Sequence, residues 1–307
     1  MLVSVCVGSV RGNTLPQLIA SIVAQEFSNW ELVIAVQGRD PALLSSVEQQ
    51  SQRDPRITHI GLERFGKSYA LNEAVKVAKG DILAFTDDDC GAASDWLTTI
   101  VSCFTQEPAV GIVAGDLIAA PGRRLSFSTC PATYTIECVY RPAAENYVAP
   151  PGFYWAGANF AVRREVMDKV GPFDEYLGPG TEFPAAEDVD FALRAEVLGV
   201  VMWTTPKSVI YHAFGRRYGF KNALKLHRGY AIGSGALGGK LALWGHKLSK
   251  VWGRKPRTDE FITGFVTRFP RSLLEVYESR YYKIGKSRYL SRFEIDSRIL
   301  SRPKSTG

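Results

Sequence analysis

The sequence predicts an α/β fold, with a mainly parallel central sheet flanked by helices and a mostly helical C-terminal extension. Three observations carry this. Short apolar runs alternate with helical periodicity through the first half of the chain. One run, Ile82-Leu83-Ala84-Phe85, is followed after Thr86 by Asp87-Asp88-Asp89. From about Tyr218 onward the pattern is mostly helical, and Lys and Arg accumulate. The expected division is residues 1–215 as one domain and residues 216–307 as a basic, mostly helical region. At 307 residues, 46% hydrophobic and 22% charged, the chain has an ordinary globular composition and enough length for a sizeable core.

The elements follow in order. Residues 3–7 read as a buried strand. Leu15, Leu18, Ile19, Ile22, Val23 and Phe27 recur at helical spacing, with Thr14 as the expected N-cap. Residues 32–36 form the second strand, 41–52 a helix and 57–60 the third strand. Ala70, Leu71, Ala74, Val75 and Ala78 mark a helix that Gly80 is expected to close. The fourth strand ends at the aspartates. Trp96, Ile100, Val101 and Phe104 give another helix, and residues 110–114 another strand. Residues 121–153 mix Pro, Gly and aromatics without a period, the pattern of a long loop that is either functional or mobile. Regularity returns at 159–162, and a short helix at 165–170, a turn at Gly171-Pro172, a helix at 186–198 and strands at 201–203 and 209–212 complete the first domain.

The five cysteines, Cys6, Cys90, Cys103, Cys130 and Cys138, are odd in number and hold no CxxC pair. Buried free thiols and a reducing compartment are expected. The N-terminus has no charged region of the kind that opens a signal peptide. No segment has the apolar length of a membrane span; residues 231–244 come nearest, but Lys240 and several glycines break them. The net charge is +6. The Lys/Arg-rich stretch 254–304, with aromatics as in Arg280-Tyr281-Tyr282-Lys283, suits an anionic surface or simply a solvated helical tail.

The acidic triplet is the strongest chemical signal. Ligands of open α/β sheets bind outside the carboxyl ends of the strands. Three adjacent carboxylates repel one another unless a cation sits among them. Oxygen ligands at one point suit Mg2+ or Mn2+, commonly shared with substrate phosphates. A solvated acidic turn is the alternative that the residues alone leave open.

A second cluster is Glu187-Asp188-Val189-Asp190. Val189, Leu193 and Val197 are expected to face the core. Residues two apart on a helix differ by about 200°, so Asp188 and Asp190 point to different places. Asp190 stands four before Arg194, the spacing of a surface ion pair. Asp188 has no such partner, and in the first helical turn an ionised carboxylate is favoured and can serve as a general base. Gly66-Lys67-Ser68 opens a helix, where backbone amides and a lysine suit a phosphate, although P-loop spacing is missing and a solvated Lys67 is the alternative that these residues alone leave open. His212 ends an apolar strand, a place for a structural histidine or a metal ligand. Gly157-Ala158-Asn159 marks a tight bend or a close backbone approach to a ligand.

In their order and spacing these elements resemble a family-2 glycosyltransferase of the GT-A fold. The residues that carry the resemblance are Gly8-Ser9, the Gly66–Asn72 stretch, Asp87-Asp88-Asp89 and Asp95-Trp96-Leu97. Later come Gly157-Ala158-Asn159-Phe160, Gly171-Pro172-Phe173-Asp174, Glu187-Asp188-Val189-Asp190 and His212. The resemblance covers about residues 2–215. It implies a Rossmann-like sheet, a nucleotide-diphosphate sugar donor and a divalent metal, Mn2+ or Mg2+. Asp89 matches the metal-binding end of the DxD motif, with His212 as a further metal ligand. Gly8, Ser9, Arg11, Gln37, Lys67, Asp87 and Asp88 match donor-binding positions. Gly157, Asn159 and Glu187 match the acceptor and sugar pocket, and Asp188 the base that deprotonates the acceptor hydroxyl.

One departure bears on the donor. Many members place an acid after the second strand, where this chain has Gln37-Gly38, so a uridine nucleotide is only the default. The reaction implied is a single displacement that inverts the anomeric centre through an oxocarbenium-like state. The acceptor class implied is a saccharide or a lipid-linked acceptor. A cytoplasmic location is expected, with the C-terminal region a candidate for peripheral contact at the inner membrane face through Leu224, Leu237, Leu241 and Leu243. Nucleic acid is not among the expected partners. Two other readings remain: a metal-dependent phosphohydrolase with an aspartate nucleophile, and a non-catalytic sugar-nucleotide scaffold.

Overall fold

The computed structural model describes residues 1–10, 12–38, 40–119, 128–142, 153–212, 216–245 and 271–304. The first half alternates strands and helices: β1 (Val3–Ser9), α1 (Leu15–Val23), β2 (Trp30–Gln37), α2 (Pro41–Arg53), β3 (Ile57–Leu62), α3 (Lys67–Val77), β4 (Ile82–Phe85), β5 (Gly91–Ala92), α4 (Trp96–Gln106) and β6 (Val110–Ala119). There follow β7 (Ser128–Thr129), β8 (Cys138–Tyr140), β9 (Phe160–Arg163), α5 (Arg164–Val170), α6 (Glu187–Val197) and β10 (Val201–His212). The C-terminal part holds β11 (Arg217–Tyr218), α7 (Phe220–Trp244), α8 (Arg271–Arg292), β12 (Phe293–Ile295) and β13 (Ser301–Pro303).

The central sheet runs β3-β2-β1-β4-β9-β6-β10-β5, and β8 also pairs with β10. Strands β1 to β4 are mutually parallel, as are β6 and β10. β9 is antiparallel to both of its neighbours, and β5 and β8 are antiparallel to β10. Alternate residues of each strand enter opposite cores. Val3, Val5, Val7, Leu32 and Ile34 pack with α1, α2 and α4 on one face. Cys6, Val33, Ala35, Leu83 and Phe85 pack with α3, α6 and the aromatics Phe160, Phe173 and Phe191 on the other. Covering on both faces explains why these strands read as near-continuous apolar runs.

Several expectations are corrected. The two strands expected at 201–203 and 209–212 are one strand, β10, whose register shifts between Thr205 and Val209. Pro206 lies in that gap and cannot donate to a ladder. Thr14 stands at the N-cap of α1, but its hydroxyl makes no capping bond. α3 ends at Val77 with Ala78 extended. Gly80 serves instead for close approach to β1, since a Cβ there would meet Ser4 N at 2.6 Å and Leu2 O at 2.8 Å. Val197 is 49% exposed, and the buried face of α6 runs through Asp190, Phe191 and Arg194. The five cysteines are free thiols.

α7 and α8 pack closely on each other. A Cβ on Gly235 would meet Tyr282 O at 2.1 Å, and one on Gly285 would meet Ile232 O at 2.1 Å, so the glycines permit this approach. Leu237 and Leu241 are buried against the main core, which removes them from any membrane-facing surface. Among the described residues no helix is long and apolar enough to cross a membrane. Parts of the expected long loop and of the basic stretch 254–304 lie outside the described residues.

Candidate active site

The apolar run Ile82–Phe85 is wholly buried between β1 and β9, so the chain leaves the sheet at a fixed point and presents three carboxylates there. They part toward different partners. Asp88 turns back to β1, where its Oδ2 accepts from Ser9 Oγ at 3.1 Å and from Val10 N at 3.0 Å. Asp87 faces α3, with Oδ1 2.5 Å from Lys67 Nζ. Asp89 faces β10, with Oδ1 3.4 Å from His212 Nε2. Each partner relieves part of the mutual repulsion that three adjacent carboxylates carry.

Lys67 is the first residue of α3, and its Nζ also lies 3.5 Å from Glu187 Oε1 on α6. Burial works against its charge, but Asp87 and Glu187 outweigh it and push its pKa well above the usual value. The expected set of open amides at this helix start is partly closed. Gly66 N–H donates to Gln37 Oε1 at 2.7 Å, and Lys67 N–H donates to Pro179 O at 2.8 Å. Gln37 is buried and its carbonyl oxygen is engaged, so it joins β2 to α3 rather than presenting that oxygen to a base. Gly8 lets the end of β1 approach α3, since a Cβ there would meet Ala70 Cβ at 3.0 Å.

α6 starts after Ala186, which holds φ 77°, a left-handed conformation that costs a non-glycine residue about 1 kcal/mol. That turn sets Glu187 and Asp188 at the first helical positions. Asp188 Oδ2 accepts from Gly157 N–H at 2.7 Å, and Oδ1 from Val189 N–H at 2.8 Å. Glu187 is buried, and burial together with the Asp188 charge pushes it up to about 7 while Lys67 opposes the shift. The phenols of Tyr154 and Tyr230 are pushed well above their usual value, by burial first and then by Asp188. Strand-tip Asp87, helix-start Lys67, and Glu187 and Asp188 of α6 therefore lie together.

The Asp89–His212 pair fits a divalent cation. One donor atom each from Asp89, Cys90 and His212 lie within 4.8 Å of one another. His212 Nδ1 lies 2.8 Å from Pro131 O; a carbonyl only accepts, so Nδ1 carries hydrogen and Nε2 is aimed at Asp89. Such a backbone partner is the usual support of a metal-binding imidazole. Adjacent ligands on an octahedral ion at about 2.1 Å stand about 3 Å apart, close to the observed pair. Burial works against charge on His212, but hydrogen bonds to Asp89 and Cys130 outweigh it and push the group up to about 10. Carboxylate oxygen and imidazole nitrogen suit Mn2+ somewhat better than Mg2+. The Cys90 thiol is pushed well above its usual value by burial and the Asp87 charge.

Asn159 does not line a pocket. It is fully buried: Oδ1 accepts from Trp96 Nε1 at 2.8 Å and Ser208 Oγ at 3.3 Å, while Nδ2 donates to Asp116 O and Ser208 O. It knots β6, β10 and α4 together beneath the site. Arg11 lies outside the described residues. The Asp190–Arg194 pair forms at 3.0 Å, but it is buried and not at the surface. Sequence reasoning missed the partner that draws it inward, Lys240 of α7, 2.5 Å from Asp190 and 2.6 Å from Asp174. A lone lysine inside the apolar stretch 231–244 was the available signal, since buried lysines are paired.

The family model described as Glycosyl transferase family 2 matches residues 4–171, over half of the chain. It ends before α6 and His212, which geometry joins to the matched part. A glucosyl-dolichyl phosphate glucuronosyltransferase of Haloferax volcanii is 26% identical over 217 residues, 70% of this chain and 67% of that protein. An N-acetylglucosaminyltransferase of Bradyrhizobium elkanii is 34% identical over 113 residues, 35% of this chain and 60% of that protein. Among solved structures, the mannosyltransferase PcManGT from Pyrobaculum calidifontis, in complex with GDP-Man and Mn2+, matches with TM-score 0.58 at 19% identity, over 94% of this chain and 73% of that one. S. aureus TarS 1–349 in complex with UDP matches with TM-score 0.52 at 16% identity, over 100% of this chain and 98% of that one. The structural likeness shows the GT-A fold, and the family match shows the rest: the chain belongs to glycosyl transferase family 2 and is a glycosyltransferase.

Proposed function

We propose that this enzyme moves a sugar from a nucleotide-diphosphate donor to a hydroxyl group of a saccharide or lipid-linked acceptor, with inversion at the anomeric carbon. The observation that carries the reading is Lys67. Its ammonium lies between Asp87 at the strand tip and Glu187 at the start of α6, joining the donor side of the cleft to the helix that bears Asp188.

Lys67 is a cation at the point where a diphosphate would rest, and Asp87 orients it. Asp88 holds Ser9 and Val10, and so shapes the loop after β1 that would face the nucleotide. Asp89 and His212 would hold Mn2+ or Mg2+, which when bound supplies Lewis-acid neutralisation of charge on the diphosphate. Asp188 takes the proton of the attacking hydroxyl. Two backbone N–H groups fix its carboxylate, so its orientation is set before an acceptor arrives. Gly157 and Glu187 stand beside it on the acceptor side. With the nucleophile supplied by the acceptor, no covalent enzyme intermediate is required.

A uridine nucleotide is the default donor; the two solved relatives hold GDP-Man in one case and UDP in the other. The named substrate of the Haloferax volcanii relative supports a lipid-linked acceptor. Exposed Tyr218 and Phe220 beside exposed Lys221 and Lys225 support peripheral membrane contact by residues 216–307, at the cytoplasmic face. Residues 1–215 would then form the catalytic domain.

A thermal-shift screen of UDP, GDP and CDP, each with and without Mn2+, tests the donor half. The proposal expects one nucleotide to raise the melting temperature markedly more with Mn2+ than without. No metal-dependent shift with any nucleotide contradicts it.

A further inference from the structure

We propose that Lys240, on α7, is a positioning residue that holds Asp188 in place through Asp190, so that the C-terminal helices complete the acceptor side of the active site. This rests on the reading of Asp188 as the base.

The contacts form a continuous chain. Lys240 is fully buried, and its Nζ lies 2.5 Å from Asp190 Oδ1 and 2.6 Å from Asp174 Oδ2. Asp190 Oδ2 accepts from Arg194 Nε at 3.0 Å. Arg194 continues to the carbonyls of Val170 and Pro172 at 2.7 and 2.8 Å. Asp174 Oδ2 also accepts from Ser301 N at 2.8 Å and Ser301 Oγ at 2.5 Å, and Tyr289 OH lies 2.6 Å from that hydroxyl. Two carboxylates, one ammonium and one guanidinium thus balance inside the protein, drawn from the 171–174 turn, α6, α7 and the β12–β13 hairpin.

The network reaches Asp188 because Asp190 lies half a turn along the same first turn of α6. Asp190 pins that turn from within, while Gly157 N–H grips Asp188 from the other side. A second contact acts on the same turn. A Cβ on Gly233 of α7 would meet Ala185 N and O at 2.8 and 2.7 Å, so α7 lies directly on the backbone that enters α6. Leu177 and Phe183, on the same approach, pack with Ile232, Ala236, Tyr289 and Phe293 of the C-terminal part. Removing one partner of a buried ion pair leaves an uncompensated charge. With Lys240 gone, Arg194 alone is left to balance Asp190 and Asp174, one buried negative charge is uncompensated, and the first turn of α6 loses an anchor at Asp190.

The test uses the full chain with Lys240→Met, and with Lys240→Met/Asp174→Asn. The double substitution removes one charge of each sign and leaves Asp190 with Arg194, so it retains a balanced interior if the single variant does not fold. Amide hydrogen exchange is read with Mn2+ and the nucleotide chosen by the thermal-shift screen. We expect Gly157 and the first turn of α6 to exchange about tenfold faster or more, while 82–90 stays unchanged. Transfer is measured from UDP- and GDP-sugars to a panel of saccharide and polyprenyl-phosphate acceptors. We expect kcat to fall about 100-fold with nucleotide Kd within about twofold, the cost of a misplaced reacting group. Leu18→Ala, in the opposite core, gives a destabilised control expected to keep kcat below its melting temperature. Unchanged exchange at Gly157 with unchanged kcat in a folded variant overturns the inference, as does an equal loss of kcat and donor affinity. Asp188→Asn is run alongside. If it transfers normally, the base assignment itself fails; if it is inactive and both Lys240 variants behave as wild type, only the positioning role fails.

Discussion

The backbone N–H of Gly157 donates a 2.7 Å hydrogen bond to Oδ2 of Asp188. The glycine is needed there for space, since a Cβ would stand 3.0 Å from Asp188 Cβ and 3.1 Å from Oδ2. Gly157→Ala should push the carboxylate aside by a few tenths of an ångström. The expected result is a kcat lowered about tenfold, with donor affinity unchanged, read from steady-state kinetics and nucleotide titration. A kcat equal to wild type would mean that this contact does not set the position of Asp188.

Asp89→Ala should abolish the metal-dependent part of the nucleotide-induced thermal shift and leave the metal-free part. His212→Gln should weaken the apparent Mn2+ affinity about 10- to 100-fold without abolishing it. Mn2+ titrations of the two variants check the order of effect, and equal losses would indicate that His212 is as necessary as the carboxylate.

Lys67→Met removes the cation between Asp87 and Glu187. Nucleoside diphosphate binding should weaken about tenfold, as expected for loss of a charge-assisted contact. Glu187, now pushed up to about 7 by burial and Asp188 against the opposing pull of Lys67, should titrate higher still in the variant. Carboxyl-selective NMR on the donor-free protein reads that shift directly.

Asp174 predicts the acid limb of stability. Burial works against its charge, but Lys240 and Ser301 outweigh that and hold its carboxyl below the ordinary value of 3.8. A carboxylate whose folded value is depressed contributes stability above its unfolded value, and loses it as pH falls through the folded one. Stability should therefore decline as pH drops below about 4. Asp174→Asn should flatten that limb and lower stability at pH 7 by about 3 kcal/mol, measured by denaturant unfolding across pH.

Much of the fold was legible because it rests on local periodicity. The four-residue run Ile82–Phe85 is buried on both faces, so its end, and the aspartates there, could be located from apolar spacing alone. α6 was placed within one residue of its observed ends. What escaped depends on partners distant in sequence. Asn159 looked like a pocket residue until Trp96, Asp116 and Ser208 closed around it. Gln37, expected only as a donor contact, also ties the start of α3 through its carbonyl oxygen to Gly66 N–H. Of the expected stripe, Leu193 is buried and Val189 packs on the core, but Val197 is exposed, while Asp190 and Arg194, polar by type, are buried beside Lys240, whose bond to Asp174 spans 66 positions. No window of sequence contains both ends of such a contact.

The central claim is a division of labour in one cleft, with the strand-tip acids serving the donor and Asp188 serving the acceptor hydroxyl. Asp188→Asn keeps the size of the side chain and removes its basicity. Measured on one preparation, the variant should bind Mn2+ and nucleoside diphosphate with wild-type affinity and transfer sugar at least about 1,000-fold more slowly. Transfer at the wild-type rate, or loss of donor binding in step with transfer, would contradict the account.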